Sequence, residues 1–297
     1  MVYQIAFDSN YKDMMLDKIF IKTPAKINLF LRIINQRNDG YYNIRSGVTF
    51  LDLCDEMSIE VGDTQSVKYS GPFKPISDIF ENDIIIKTLD SLKLTSNLKL
   101  NIKIKKNIPT QAGLGSASTN AAGLIKGLKN LGIVNNSDKK LLSNLGTDVP
   151  ACFYGNDCLI TGKGDKIYTH ISFPKYYFVL VKPDIHLSTP DMYSKINNYF
   201  IFDQQYNYRI SNHTSVYEDD SVNDFEKIAK TENKEIENLL DFLSKTDNCI
   251  FARMTGSGSC CYAVYNKQEQ ASTALEIINS KFSDLWSYIG ENNAINN

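Results

Sequence analysis

The chain of 297 residues is long enough to bury a substantial core and longer than most single domains. Its 32 Lys and Arg residues nearly balance 34 Asp and Glu residues, and the net charge of −2 gives no general attraction to nucleic acid or to an anionic membrane. The six cysteines form no C-x-x-C pair and the three histidines lie far apart, so neither a zinc site nor a disulfide framework is expected.

The N-terminal region indicates a protein that stays in the cytoplasm. No apolar segment approaches the roughly 20 residues that a membrane-spanning helix needs. Acidic residues occupy the first segment, where a secretory leader would be basic and then apolar. Residues 1–18 show no clear periodicity, and we interpret them as an extension without an assigned role.

The first half of the chain is rich in predicted strands. Apolar residues alternate over 26–34, which predicts a half-buried strand with Lys26 and Asn28 together on its other face. A turn-like segment follows at 35–40. Further elements predicted before residue 106 are the strands 48–53, 57–61 and 98–105 and the helix 83–94.

A glycine-rich segment joins the strand 98–105 to a predicted helix that Gly132 ends. A helix N-terminus offers unpaired N–H groups and partial positive charge, so such a segment can hold a polyphosphate. It matches neither G-x-x-x-x-G-K-[ST] nor G-x-G-x-x-G, and an ordinary glycine turn explains it equally well. The segment consists of Pro109, Thr110, Gln111, Ala112, Gly113, Leu114, Gly115, Ser116, Ala117, Ser118 and Thr119.

Lys26 and Asp148 each allow a structural and a catalytic interpretation. Lys26 is either an ordinary strand lysine or a cation that holds a phosphate oxygen. Ser137 is a predicted cap for the next helix, which Gly146 ends, so we expect Asp148 in a loop after that helix. The carboxylate of Asp148 either belongs to a common turn or accepts a proton from a hydroxyl group during phosphoryl transfer.

The second half predicts another lobe, beginning near residue 168. Ser188-Thr-Pro190 has the form of a helix start, and residues 203–221 are polar and irregular. The other predicted elements are the strands 158–160, 176–181 and 260–265 and the helices 224–230, 234–243 and 271–282.

Five segments, in this order, resemble the GHMP kinase superfamily and, within it, the 4-diphosphocytidyl-2-C-methyl-D-erythritol kinases. The resemblance extends from Ile21 to about Tyr265. It implies an α+β fold with two lobes: an N-terminal lobe over 19–167, like domain 2 of ribosomal protein S5, and an α/β C-terminal lobe over 168–297. The segments are Pro24-Ala-Lys-Ile-Asn-Leu29, Arg37-Asn-Asp-Gly-Tyr41, Gly146-Thr-Asp-Val-Pro150, Asn223-Asp-Phe-Glu226 and Arg253-Met-Thr-Gly-Ser-Gly-Ser259.

The resemblance implies phosphorylation, by ATP with Mg²⁺, of the 2-hydroxyl group of the cytidyl substrate in the non-mevalonate route to isoprenoid precursors. Lys26 and Asp148 match the catalytic pair, and the glycine-rich segment matches the ATP site. The expected partners are small molecules, without nucleic acid or membrane, for a monomer or weak homodimer. The expected substrate-binding residues are Asn28, Tyr41, Tyr42, Thr189 and Tyr193, with Tyr41 and Tyr193 on the two faces of the cytosine.

Three departures from the family pattern keep other functions open. Tyr42 stands where the family usually has His, and Ser116-Ala117 replaces a pair of glycines, which leaves Ser116 as a possible Mg²⁺ ligand. Asn82-Asp83 reverses a polar pair near the adenine pocket. The alternatives are another kinase of this superfamily, acting on mevalonate, homoserine or a sugar, and a nucleotide-binding relative without catalysis.

Overall fold

The computed structural model describes residues 18–76, 83–94, 98–135, 139–199 and 222–292. The predicted extension, apart from Lys18, lies outside these residues. So do Ser137, the proposed cap, and the whole of the irregular segment 203–221.

The first sheet is built around a long antiparallel hairpin of β1 (Lys18–Gln36) and β2 (Tyr42–Gly62). The free edge of β2 pairs near its start with β5 (Cys158–Gly162) and near its end with β4 (Lys99–Lys105). Outside these lie β3 (Ser66–Ser70), parallel to β4, and β6 (Lys166–Tyr168), antiparallel to β5. The helices of this half are α1 (Ile84–Leu92), α2 (Ser116–Asn130), α3 (Lys139–Leu145) and α4 (Val149–Tyr154).

The second sheet has four antiparallel strands in the order β10-β7-β9-β8. The strands are β7 (Tyr177–Lys182), β8 (Phe251–Met254), β9 (Cys261–Tyr265) and β10 (Trp286–Glu291). The helices that accompany it are α5 (Thr189–Ser194), α6 (Ile196–Tyr199), α7 (Asp224–Glu232), α8 (Lys234–Ser244) and α9 (Gln268–Lys281). The predicted α+β class with two lobes is confirmed.

The central part of strand β1, from Ala25 to Leu31, is buried on both faces, so the prediction of a half-buried strand was wrong there. Ile27 packs with Phe178 and Tyr262 of the second sheet. On the opposite face, Lys26 is 3% exposed because the loop that begins α2 covers it. The polar residues of that face are therefore enclosed at the junction of the two lobes.

The two predicted strands 48–53 and 57–61 are one continuous strand, β2. The polar residues between them suggested an interruption, but Asp55 is fully buried within the strand and bound by partners from elsewhere in the chain. No helix in the described parts of the chain is long and apolar enough to cross a bilayer.

Candidate active site

A cleft with a volume of about 590 Å³ lies where the two lobes meet. The first lobe contributes Lys26, Asn28, Asp148 and the segment 109–118. The second lobe contributes the segments 186–189 and 256–258 together with Tyr193 and Phe225. Most residues that the sequence nominated for catalysis and ATP binding thus face one space.

The predicted catalytic pair is formed across 122 positions of sequence. Lys26 Nζ lies 2.8 Å from Asp148 Oδ2 and 2.8 Å from Asn28 Oδ1. The side chain of Lys26 is 4% exposed, whereas that of Asp148 is 35% exposed and open to the cleft. A fixed cation therefore lies beside a carboxylate that a substrate can reach.

Asp148 lies in the turn between α3 and α4, as expected from the sequence, and occupies the N-cap position of α4. Its carboxylate accepts no capping hydrogen bond from α4. Pro150, in the first turn of α4, has no N–H group to satisfy, which lowers the need for a side-chain cap. The carboxylate of Asp148 can therefore pair with Lys26 and face the cleft.

The glycine-rich loop is wedged between the lobes and leads directly into α2. Gly113 has φ +73°, and a Cβ atom there would lie 2.1 Å from the carbonyl oxygen of Thr255. Gly115, with φ +68°, is the N-cap of α2, and no side chain caps this helix. The backbone N–H groups of the first turn therefore face the cleft without a side-chain acceptor, as an anion site requires.

Ser116 belongs to a buried ionic network beneath that helix N-terminus. Its Oγ donates to Asp55 Oδ2 at 2.9 Å, and Lys106 Nζ contacts both groups. Asp55 Oδ1 also accepts from the backbone N–H groups of Asn107 at 2.7 Å and Ile108 at 2.9 Å. Burial lowers the pKa of Lys106, although Asp55 opposes this effect.

The contacts of Ser116 do not support its predicted role as a magnesium ligand, because a metal ion there would approach the Lys106 ammonium group. Among the described residues no group of three or more His, Cys, Asp or Glu side chains is arranged to hold a metal. Neither Asp55 nor Lys106 was nominated from the sequence. Nothing in the local pattern distinguishes them from the exposed charges beside them.

Asp83 lines the cleft at the start of α1, and both oxygens of its carboxylate already accept hydrogen bonds. Its Oδ1 accepts from the N–H groups of Ile85 at 2.7 Å and Ile86 at 3.3 Å, which caps α1. Its Oδ2 accepts from the hydroxyl group of Tyr69 at 2.6 Å. The carboxylate thus orders this wall of the cleft and has little capacity left to accept a hydrogen bond from adenine.

At the other end of the cleft, Tyr193 presents an aromatic wall. It stacks on Tyr42 with a centroid distance of 5.6 Å, and Phe225 meets it edge-on at 4.9 Å. Burial raises the pKa of Tyr193. Thr189, also nominated for substrate binding, lines the cleft with its hydroxyl 2.7 Å from that of Ser257.

Two nominated tyrosines do not line the cleft. Tyr42 is 8% exposed and packs into the core behind Tyr193, so the structure gives it a supporting position rather than a substrate contact. Tyr41 is 54% exposed, and Lys163 Nζ lies 4.9 Å from its ring centroid. Lys163, which the sequence did not nominate, does line the cleft.

The Asn223-Asp-Phe-Glu226 segment orders the loop of the second lobe. The Nδ2 atom of Asn223 donates to the carbonyl groups of Met254 at 2.6 Å and Gly256 at 2.8 Å. Thr255 Oγ1 in turn accepts from the backbone N–H of Asn28 at 3.0 Å. The segment contributed to the resemblance, but its spacing gave no sign of this supporting role.

Comparison with known proteins places this fold and site in a family. The chain matches the GHMP kinases N terminal domain over residues 83–156 and the GHMP kinases C terminal region over residues 211–284. It is 32% identical to the 4-diphosphocytidyl-2-C-methyl-D-erythritol kinase of Prochlorococcus marinus (strain MIT 9301), over 91% of this chain and 93% of that protein. It is 33% identical to the enzyme of the same name from Francisella philomiragia subsp. philomiragia, over 88% of this chain and 92% of that one.

Solved structures share the fold of this chain. A 4-(cytidine 5'-diphospho)-2C-methyl-D-erythritol kinase matches with a TM-score of 0.74 at 22% identity, covering 92% of this chain and 99% of that one. The L. major mevalonate kinase matches with a TM-score of 0.62 at 17% identity, covering 92% and 96%. The chain therefore belongs to the 4-diphosphocytidyl-2-C-methyl-D-erythritol kinase family of the GHMP kinases.

Proposed function

We propose that the chain transfers the γ-phosphoryl group of ATP to the 2-hydroxyl group of 4-diphosphocytidyl-2-C-methyl-D-erythritol, a step of the non-mevalonate route to isoprenoid precursors. The observation that carries this proposal is the pairing of Lys26 Nζ with Asp148 Oδ2 at 2.8 Å, in the same cleft as the uncapped N-terminus of α2. Membership of the 4-diphosphocytidyl-2-C-methyl-D-erythritol kinase family supports the choice of this compound as the acceptor.

In this mechanism Asp148 accepts the proton of the 2-hydroxyl group as its oxygen forms a bond to the γ-phosphorus. The bond from that phosphorus to the β–γ bridging oxygen breaks, and ADP leaves. Lys26, whose cation lies beside the carboxylate, stabilises the negative charge that develops on the attacking oxygen. Asn28 holds the Lys26 ammonium in place from its other side.

The glycine-rich loop contributes mainly positioning. Backbone N–H groups of the first turn of α2 bind the phosphates of ATP, and Gly113 and Gly115 let the backbone approach them closely. Phosphoryl transfer depends largely on such positioning and on charge neutralisation. We also propose that residues 19–167 form the lobe with the ATP site and residues 168–297 the lobe that completes the acceptor site.

We propose Mg²⁺ as the cofactor, since ATP phosphates carry charge that must be neutralised. Mg²⁺ commonly takes only one or two protein oxygens and completes its shell with phosphate oxygens and water. Because the described residues contain no cluster of carboxylates that could hold the ion, the phosphate oxygens of ATP would supply most of its ligands other than water. The cytoplasmic location and the state of association remain predictions from the sequence.

The proposal is tested by measuring ADP release in a coupled assay with the cytidyl acceptor, mevalonate and homoserine offered separately. We expect release that depends on the cytidyl acceptor and background rates with the other two. Release that depends on mevalonate or homoserine instead would assign the chain to another reaction of the superfamily. Absence of ADP release with all three compounds would show that the proposed acceptor is wrong.

A further inference from the structure

The acceptor in the proposed reaction carries a diphosphate between its cytidine and its methylerythritol, and that group needs compensating charge. Three lysines line the cleft: Lys26, Lys106 and Lys163. Lys26 is in an ion pair with Asp148, and Lys106 with Asp55. Among the described residues Lys163 forms no salt bridge, so its charge is available to a ligand.

Lys163 also lies in the right part of the cleft for that role. It occupies the turn between β5 and β6, where Gly162 pairs with Ile44 of β2, two positions after Tyr42. A Cβ atom on Gly164 would lie 3.0 Å from Thr147 Cβ and 3.2 Å from the Thr147 carbonyl oxygen. The turn therefore bridges the segment that carries the catalytic carboxylate and the end of the sheet that carries the tyrosines.

The carboxylates of Asp39 and Asp165 lie near Lys163, and neither forms a salt bridge with it. The carboxylate of Asp39 accepts hydrogen bonds from Arg37 Nε at 3.0 Å and Nη2 at 3.0 Å, and this pairing lowers the pKa of Asp39, to which the charge of Lys163 also contributes. Asp165 Oδ1 accepts from the backbone N–H of Lys163 at 3.1 Å. The Lys163 ammonium itself lies over the ring of Tyr41 at 4.9 Å, with the side chain partly exposed.

We infer that Lys163 binds the diphosphate of the acceptor, between the hydroxyl group that reacts at Asp148 and the base that Tyr193 faces. The inference rests on the proposed function. A lysine serves this role as a mobile point charge on phosphate oxygens. Lys163 thereby favours acceptors that carry a diphosphate over neutral or monoanionic alcohols.

The test compares the binding of CDP and of cytidine, which share the base and ribose but differ in the diphosphate. Titration calorimetry is done with the ATP site filled by a non-hydrolysable ATP analogue, using displacement for the weaker ligand. Lys163→Met should weaken CDP binding about tenfold, as expected for loss of one charge-assisted contact. Cytidine binding should stay within about twofold.

Lys166→Met is the matched control, because Lys166 is an exposed lysine of the same hairpin that does not line the cleft. It should bind both ligands as the wild type does, and Lys163→Arg should recover most of the CDP affinity. In turnover, Lys163→Met should raise the KM of the acceptor while the KM of ATP stays unchanged.

Equal CDP affinity of Lys163→Met and wild type would overturn the inference. Equal losses for CDP and cytidine would also overturn it, because Lys163 would then act only through the position of Tyr41. Failure of the wild type to bind CDP at all would be a different result. It would remove the cytidyl acceptor, and with it the proposed function on which the inference depends.

Discussion

At the scale of single residues, the acceptor end of the cleft depends on an aromatic stack that lies partly in the core. Tyr193 faces the cleft, while Tyr42 behind it and Phe225 beside it fix its orientation. Tyr42 stands where the family usually has His. In this chain that position supports the aromatic wall from within the core.

Tyr193→Ala should raise the KM of the cytidyl acceptor about tenfold or more, since one stacked base contributes ~1–3 kcal/mol. The KM of ATP should change little, because the phosphate loop lies at the other end of the cleft. Steady-state kinetics with each substrate varied in turn makes the measurement. Tyr168→Ala, at a 40% exposed tyrosine outside the cleft, is the control. An effect confined to the KM of ATP would contradict the stacking role.

At the scale of elements, the start of α2 rests on the buried network of Asp55, Lys106 and Ser116. The side chain of Asp55 is fully buried and that of Lys106 is 6% exposed, so removing the cation leaves a carboxylate uncompensated. Lys106→Met should therefore lower the free energy of unfolding by about 3–5 kcal/mol.

Urea denaturation followed by circular dichroism measures this change, with Lys105→Met as the matched control. Lys105 pairs with Glu56 at the surface, where both side chains are about half exposed, and its loss should cost about 1 kcal/mol or less. Similar stability losses in the two variants would show that the buried pair does not support α2.

The elements that the sequence predicted well are those whose signals are local. Alternation predicted β1 and β4, and Ser188 followed by Pro190 predicted the start of α5, where Ser188 is the N-cap. The unbroken β2 was missed because Asp55 looks like an interruption until Lys106 and the N–H groups of residues 107 and 108 are seen around it.

The same limit applies to the site. The proximity of Lys26 and Asp148 was implied only by the resemblance, because their 122-residue separation carries no geometric information. Lys163 was not nominated for a similar reason. Its place in the cleft follows from the pairing of β5 with β2 and from contact of the turn with Thr147, which are both properties of the folded chain.

At the scale of the whole molecule, the two lobes share structure and are not separate bodies joined by a linker. Ile27 and Leu29 of β1 pack against the second sheet, and Leu31 and Ile33 pack with the helices that cover it. Thr255 of the second lobe contacts the backbone of Asn28 and lies against Gly113. Strand β1 therefore contacts both lobes, and the cleft lies at their junction.

This arrangement places the catalytic pair at the junction, where ATP on the first lobe and the acceptor against the second would meet. The central claim is that Asp148 activates the acceptor hydroxyl there. Its most direct test is single-turnover transfer from ATP to the cytidyl acceptor, comparing the wild type with Asp148→Ala and following the new phosphomonoester by ³¹P NMR.

We predict that the wild type forms the phosphomonoester on the acceptor while the diphosphate signals of the acceptor persist. Asp148→Ala should form it ~10²-fold or more slowly, within the range of general-base contributions, while still binding CDP with near wild-type affinity. Transfer by Asp148→Ala at the wild-type rate would contradict the account.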